Sequence, residues 1–330
     1  MLFRSVQVLY DSDDFSALFS THYRDLDGTA RLFRANIIKA GTNDLDRDNY
    51  KRDMVWVDGT NEQEVTTWGG LARLEWNFGN STLTSVTAYE TIETFSRGDI
   101  DGGFGGLFEV DYFGPGLLPF SAESADGVPD HNQFTQELRW ATNDWGKLDW
   151  QAGFFYFDED LEIDTFNYAT NFGGGVNGYV LQKQKTKAWG VFAAMDFELT
   201  DALVMNAGIR YSDDDKDFSA ERFLSPLAFL GVPDSLGPIY ANVDDSQVSW
   251  DLSLTWAASD EVNVYGRVAS GFRAPSIQGR LLFGDTVSIA DSETSLSWEG
   301  GVKSTFADGD RKSTRLNSSH SSVSRMPSSA

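Results

Sequence analysis

The sequence predicts an all-β protein, an antiparallel up-and-down transmembrane β-barrel, on three observations. Strand-like stretches alternate an apolar face with a small or polar one along most of the chain. The connections between them alternate between short turns and long loops. Aromatic residues gather beside the short turns, where an interfacial girdle would need them.

The first two stretches, 2–10 and 15–25, are joined by Asp11-Ser12-Asp13-Asp14, a run of turn formers. After a long connection over about 26–65, the stretch 66–78 turns at Gly79-Asn80 into 81–98, where alternation is blurred. A second long connection, 99–130, leads to 131–143, in which Phe134, Leu138 and Trp140 oppose Gln133, Thr135, Glu137 and Arg139. Asp144-Trp145-Gly146 turns the chain into 148–169, and a third long connection, 170–182, precedes 183–199. There Trp189, Val191, Ala193, Met195 and Phe197 share a face. Thr200-Asp201 leads into 203–224, where Leu203, Met205, Ile209 and Tyr211 oppose Asn206, Gly208, Arg210 and Ser212. Beyond a fourth long connection, 225–247, Val248, Trp250, Leu252, Leu254 and Trp256 form one face of 248–258. Ser249, Asp251, Ser253 and Thr255 form the other. Ser259-Asp260-Glu261 turns into 262–273, and a fifth long connection, 274–291, leads to 292–306.

Eleven strands are therefore expected, with tight turns on the periplasmic side and long loops outside. A soluble sandwich or propeller gives no reason for every second connection to be long. Tyr10, Phe15, Trp76, Phe78, Trp140, Trp150, Phe197, Trp256 and Phe306 all lie within a few residues of a short turn. The stretches 148–169 and 203–224 exceed what a membrane crossing needs. Their acidic runs, Asp158-Glu159-Asp160 and Asp213-Asp214-Asp215, are expected as a solvated rim above the membrane. Consecutive residues on a strand point to opposite faces, which weakens a calcium-site reading of these runs.

Composition excludes several classes. The chain has 26 Lys+Arg against 50 Asp+Glu, a net charge of −24, which argues against nucleic acid and anionic lipid surfaces. Ten Trp, eleven Tyr and 24 Phe are too many for a disordered acidic chain. Cysteine is absent, which removes disulfide frameworks and thiolate metal sites. The best apolar run, Trp189 to Met195, is far too short for a membrane-spanning helix. Any membrane crossing must therefore be made by a barrel.

The two ends read differently from the rest. The string DRKSTRLNSSH, from Asp310 to His320, is the in-frame translation of a common sequencing-library adapter, and SRMPSSA, from Ser324 to Ala330, is its continuation. Residues 310–330 are expected to be an adapter-derived, disordered tail, set apart from the barrel at 1–309. MLFRSVQVLYDS lacks a charged leader, an apolar run and a cleavage site, and is expected to begin inside a longer gene.

With the pattern in place, several segments resemble the barrel of proteobacterial TonB-dependent outer-membrane receptors. VYGRVASGFRAPSIQGR, from Val264 to Arg280, is similar to a family strand that ends in GFRAPS and leads into an outer loop. FTQELRW (134–140), LTSVTAYE (83–90), SRGDIDGGFG (96–105) and GIRYSDDDKDF (208–218) are similar to other barrel segments, so that the likeness spans nearly all of 1–309. The resemblance implies a 22-stranded barrel in the outer membrane of a Gram-negative bacterium, of which this chain would supply about half. It also implies a plug in the lumen, recruitment of the TonB complex through that missing plug region, and active uptake of a bulky small-molecule ligand such as a ferric siderophore. A passive porin and a soluble secreted β-protein remain as alternatives. Refolding that depends on detergent would separate the last of these.

No enzyme chemistry is legible. Outside the tail only His22 and His131 are present, in different segments, with no hydrolase or metal-binding spacing. The glycines from Asp101 to Gly106 do not lead a strand into a helix, so no phosphate loop or cofactor site is expected. Arg139, Arg210, Arg267 and Arg273 lie opposite the apolar rows and are expected to face the lumen, contacting an anionic ligand or salt-bridging the plug. Arg97, Asp99 and Asp101, at the start of the 99–130 connection, join them as candidate contacts.

Overall fold

The computed structural model describes residues 2–102 and 123–306, less positions 30, 35–36, 40, 48–49, 56, 58, 143–144 and 170–173, together with the backbone of 311–323. Ten long strands are joined in simple succession: β1 (Leu2–Asp11), β2 (Phe15–Gly28), β3 (Glu62–Asn77), β4 (Ser81–Asp99), β5 (Glu123–Thr142), β6 (Leu148–Tyr168), β7 (Val176–Thr200), β8 (Leu203–Leu224), β9 (Leu236–Ser259) and β10 (Val262–Arg273). A small hairpin, β11 (Ser276–Gln278) and β12 (Ser288–Ala290), interrupts the connection to β13 (Glu293–Phe306), and β14 (Arg311–Val323) follows. All strands but that hairpin form one antiparallel sheet in which each pairs with its neighbours in sequence, an open partial barrel.

The register fixes which side chains share a face. Ile209 pairs with Ala193 and Trp250, Ala207 with Met195 and Leu252, and Leu203 with Trp256. These residues form a continuous outer row on which Ile209 is 56% exposed, as a lipid-facing residue must be outside a membrane. Arg210 pairs with Phe192 and Ser249, Gly208 with Asp251, and Arg267 with Ser253, which places the arginines on the opposite, lumen row. The two rows therefore lie on opposite faces of the sheet, as the alternation predicts.

The short turns gather at one end of the sheet and are tight, with Gly79 at a φ of 81° and Gly146 at 76°, a backbone region that glycine enters without a Cβ penalty. Beside them the girdle rings touch in series: Tyr10 on Phe15 at 6.1 Å, Phe15 on Trp76 at 5.5 Å, and Phe78 on Trp140 at 6.5 Å. The Phe306 side chain lies outside the described residues. A second girdle, not expected from the sequence, runs higher on the same outer face. It is made of Trp68 with Tyr89, Phe134 with Tyr156, and Trp189 with Tyr211. Trp68 and Trp76 stand eight residues apart on β3. At about 3.4 Å per residue and a tilt of 35–45°, that is roughly 20 Å of membrane depth, close to the apolar band of such barrels. Above the second girdle the outer row turns charged, with Lys183 2.6 Å from Glu162 and Lys185 3.0 Å from Asp160.

The strands differ from expectation mainly at their outer ends. β3, β5, β7 and β9 begin well before the expected 66, 131, 183 and 248, so the long loops are shorter than the alternation suggested. The last part of the expected 99–130 connection is strand, paired from Asp99↔Glu123 onward past a bulge near Thr91. The tail also departs from expectation: the backbone of 311–323, expected to be disordered, pairs along β13 from Phe306↔Arg311 to Thr294↔Val323. β13 offers a row of open backbone donors and acceptors, and pairing with such an edge makes little demand on side-chain pattern.

Candidate functional site

On the lumen face the strands bring three of the expected arginines into one concavity. Glu137 and Arg139 of β5, Gln151 of β6, Phe192 of β7, Arg210 of β8, and Asp251 and Arg267 on β9 and β10 all line it. Alternation alone places them there, because each is an even number of residues from its lumen-facing neighbours on the same strand. Arg139 stands 3.8 Å from Glu137, and Arg267 stands 3.6 Å from Asp251. Both pairs are half-exposed and worth little to stability, so the guanidinium groups remain available to a second partner.

Arg210 is held differently. Its Nε donates to Ser212 Oγ at 2.9 Å, and its guanidinium lies 5.8 Å from the ring centres of both Phe155 and Phe192. Rings at that distance attract a cation without neutralising it. Space for the guanidinium is made by Gly190 on β7. A Cβ there would fall 2.7 Å from Arg210 Nη2 and 2.9 Å from the Tyr211 carbonyl oxygen. Gly190→Val is expected to push the Arg210 side chain off its seat and to cost about 1–3 kcal/mol through overpacking. Urea titration of the refolded barrel checks this, with Gly190→Ala giving a smaller loss.

Above Arg210 the lumen wall continues as a hollow lined by Phe155, Phe157, Glu159, Gln184, Thr186, Asp214 and Lys216. Burial pushes the Asp214 carboxyl above its usual range, against the pull of Lys216. His22 and His131 both lie on the lumen row. His22 Nε2 lies 3.2 Å from Glu90 Oε2, and His131 Nε2 lies 3.3 Å from Glu159 Oε1. Sequence separation hid these pairings, which cross two strands and one strand respectively.

The remaining candidates go elsewhere. Arg273 lies on the lumen row opposite Glu293, at the outer end of β10, apart from the concavity. Arg97 and Asp99 fall on the outer row, in register with Tyr89 on β4, and not on the lumen row with Arg139. The blurred alternation of 81–98 left that face unassigned until the pairing was known. Arg97 Nε donates to Glu123 Oε1 at 2.6 Å, and its guanidinium lies 3.7 Å over the Tyr168 ring. The Asp99 carboxylate accepts from the Gly59 and Gly102 amides at 3.3 and 3.0 Å, and Thr60 N–H donates to Glu123 at 3.0 Å. Asp99, Asp101 and Glu123 are all buried. These residues fasten the β2–β3 connection to the tops of β4 and β5.

A residue that sequence reasoning missed is Arg222, on the lumen row at the outer end of β8 and only 2% exposed. Its guanidinium donates to the carbonyl oxygens of Pro233, Asp234, Leu281 and Gly284 and to Asp285 Oδ1, at 2.7–3.2 Å. Beside it Val180, Phe218, Ala220, Leu281 and Leu282 form the hydrophobic core cluster of the described residues. Burying a leucine fully contributes roughly 1.5–3 kcal/mol.

Comparison with known proteins bears on this architecture. A family profile described as TonB-dependent receptor-like β-barrel matches residues 4–318. No curated protein matches the chain. Among solved structures, the ferric yersiniabactin uptake receptor FyuA from Yersinia pestis is similar, with a TM-score of 0.70 at 16% identity over 92% of this chain and 43% of the receptor. The siderophore receptor PiuA from Acinetobacter baumannii gives 0.63 at 14% identity over 94% of this chain and 48% of the receptor. The alcaligin outer-membrane receptor FauA from Bordetella pertussis gives 0.55 at 14% identity over 95% and 41%. The chain thus spans less than half the length of these solved relatives.

Proposed function

The chain belongs to the TonB-dependent receptor-like β-barrel family, and from that premise we propose that it forms about half the wall of a receptor that takes up an iron complex of the kind a siderophore carries, excluded by size from passive pores.

 The parent receptor works at the outer membrane of a Gram-negative bacterium, where the members of this family reside, and draws on the TonB complex for energy. The observation that carries the proposal is the lumen wall itself. Arg139, Arg210 and Arg267 face one concavity beside the Phe192 ring, on a sheet whose outer face is belted by two aromatic girdles. A wall of that kind suits a bulky anionic complex passing along the lumen, or a plug segment that gives way to it. By their own descriptions FyuA takes up ferric yersiniabactin and PiuA is a siderophore receptor, which supports iron as the cargo. A lumen wide enough for such a ligand has to be closed at rest, so transport has to be coupled to an energy source.

The test is uptake of radiolabelled iron, supplied as ferric citrate and as a ferric catecholate, by cells carrying the full-length gene with and without a proton-gradient uncoupler. Uptake of at least one complex is expected to fall to the level of cells lacking the gene once the gradient is removed. Uptake that continues unchanged after uncoupling would identify a passive channel.

A further inference from the structure

We infer that the β10–β13 connection, together with the segment between β8 and β9, is a fixed lid over the lumen face of β7–β9, and that ligand passes with this lid in place. The inference rests on the receptor reading above for its transport readout alone.

The sheet prepares the seat. A lumen row is expected to be polar where it meets water. At the outer ends of β7, β8 and β9, however, the lumen row carries Val180, Phe218, Ala220, Ile239 and Ala241. Apolar side chains on that face need a cover, and the chain supplies one. Ile277, Leu281, Leu282 and Val287 pack onto them, and Val180, Leu281 and Leu282 are fully buried.

Polar contacts then lock the cover down. Arg222 reaches both connections at once, through Pro233 and Asp234 on one side and Leu281, Gly284 and Asp285 on the other. Lys216 Nζ donates to the Pro275 carbonyl at 2.7 Å, which ties down the start of the connection directly after Arg273. The fit is close. A Cβ on Gly279 would fall 2.5 Å from the Phe218 ring, and one on Gly178 would fall 2.8 Å from Leu282. Lifting the lid would wet an apolar core and strip a buried guanidinium of five acceptors together, so the lid does not open as a loose loop would. The route for ligand therefore lies clear of the lid.

A reversible tether tests this. The ideal Cβ at Gly279 lies 3.0 Å from the Ala220 Cβ, near the 3.5–4.5 Å range of a disulfide, and the chain has no cysteine of its own. Because that Cβ would also fall 2.5 Å from the Phe218 ring, the tether is built on a Phe218→Leu background that serves as its own control. The full-length receptor carrying Ala220→Cys and Gly279→Cys is compared in its oxidised and reduced forms, with the same two iron complexes as probes. Equal uptake by both forms is expected. Uptake lost on oxidation and restored by reduction would overturn the fixed lid. Should the double variant fail to insert, hydrogen exchange on the unmodified receptor decides. Amides of 277–287 are expected to stay protected with and without either complex, and a loss of protection when a complex is added would overturn the inference. Absence of uptake by the unmodified receptor would count against the receptor reading, while the exchange measurement still reads the lid.

Discussion

Replacing Arg222 by Met is expected to release both outer connections from β8 while leaving the barrel wall intact. Methionine fills much of the same volume, so the loss is mainly one of hydrogen bonds and charge. Four carbonyl oxygens and the Asp285 carboxylate lose their common donor. Asp285 is largely exposed and returns to water at small cost, whereas the Leu281 carbonyl accepts its bond from Arg222 in a buried setting. Each buried acceptor left unpaired costs about 1–3 kcal/mol, while no uncompensated charge is left buried. Part of that is recovered as water reaches the loosened segments, so about 3 kcal/mol of local stability is expected to go. Trypsin gives the readout, because Arg280 sits inside the docked segment. Cleavage after Arg280 is expected to quicken by roughly 100-fold at that loss, since every 1.4 kcal/mol is a factor of ten in the open population. An unchanged cleavage rate would mean that the apolar contacts hold the lid without the arginine.

The membrane-spanning part of this fold is legible in the sequence because only there do the two faces meet different solvents. Trp250, Leu252 and Leu254 share the outer row while Ser249, Asp251 and Ser253 share the inner one, as lipid on one side and a lumen on the other would select, and period two follows directly. Above the second girdle the outer face is polar too, and the signal fades. The run Asn242-Val243-Asp244-Asp245-Ser246-Gln247 is strand throughout, yet its outer row, Asn242, Asp244 and Ser246, is polar. That is why the outer ends of β3, β5, β7 and β9 were missed. The second girdle itself was available to reading, since Trp189 and Tyr211 already sat on assigned outer rows. So was the seat of the lid, in the apolar residues Phe218 and Ala220 on a row otherwise polar. Arg222 was not, because four of its five acceptors are backbone carbonyls, which leave no mark on composition or spacing. Among the candidate site residues, those on well-alternating strands, Arg139, Arg210 and Arg267, line one concavity. Arg97 and Asp99, on the blurred strand β4, did not join them.

Leu252→Arg is expected to destabilise the full-length barrel by about 2–4 kcal/mol, the depth-dependent cost of a basic side chain at the lipid midplane. Leu252 is well placed for the test. It pairs with Ala207 on β8 and Val268 on β10, between the girdle residue Trp256 and the outer end of its row. Its neighbours on the outer face, Trp250 and Leu254, offer no carboxylate to an arginine at position 252. Ala269→Arg is the control at the same height on the other face. Ala269 pairs with Asp251, whose carboxylate already accepts company from Arg267 at 3.6 Å, so the new cation meets water and negative charge. That change is expected to cost less than about 1 kcal/mol. Both variants are measured by urea titration of barrels folded into phospholipid vesicles. Equal losses at 252 and 269 would mean that the two rows do not face different solvents, and the membrane-spanning orientation of the sheet would fall with that result.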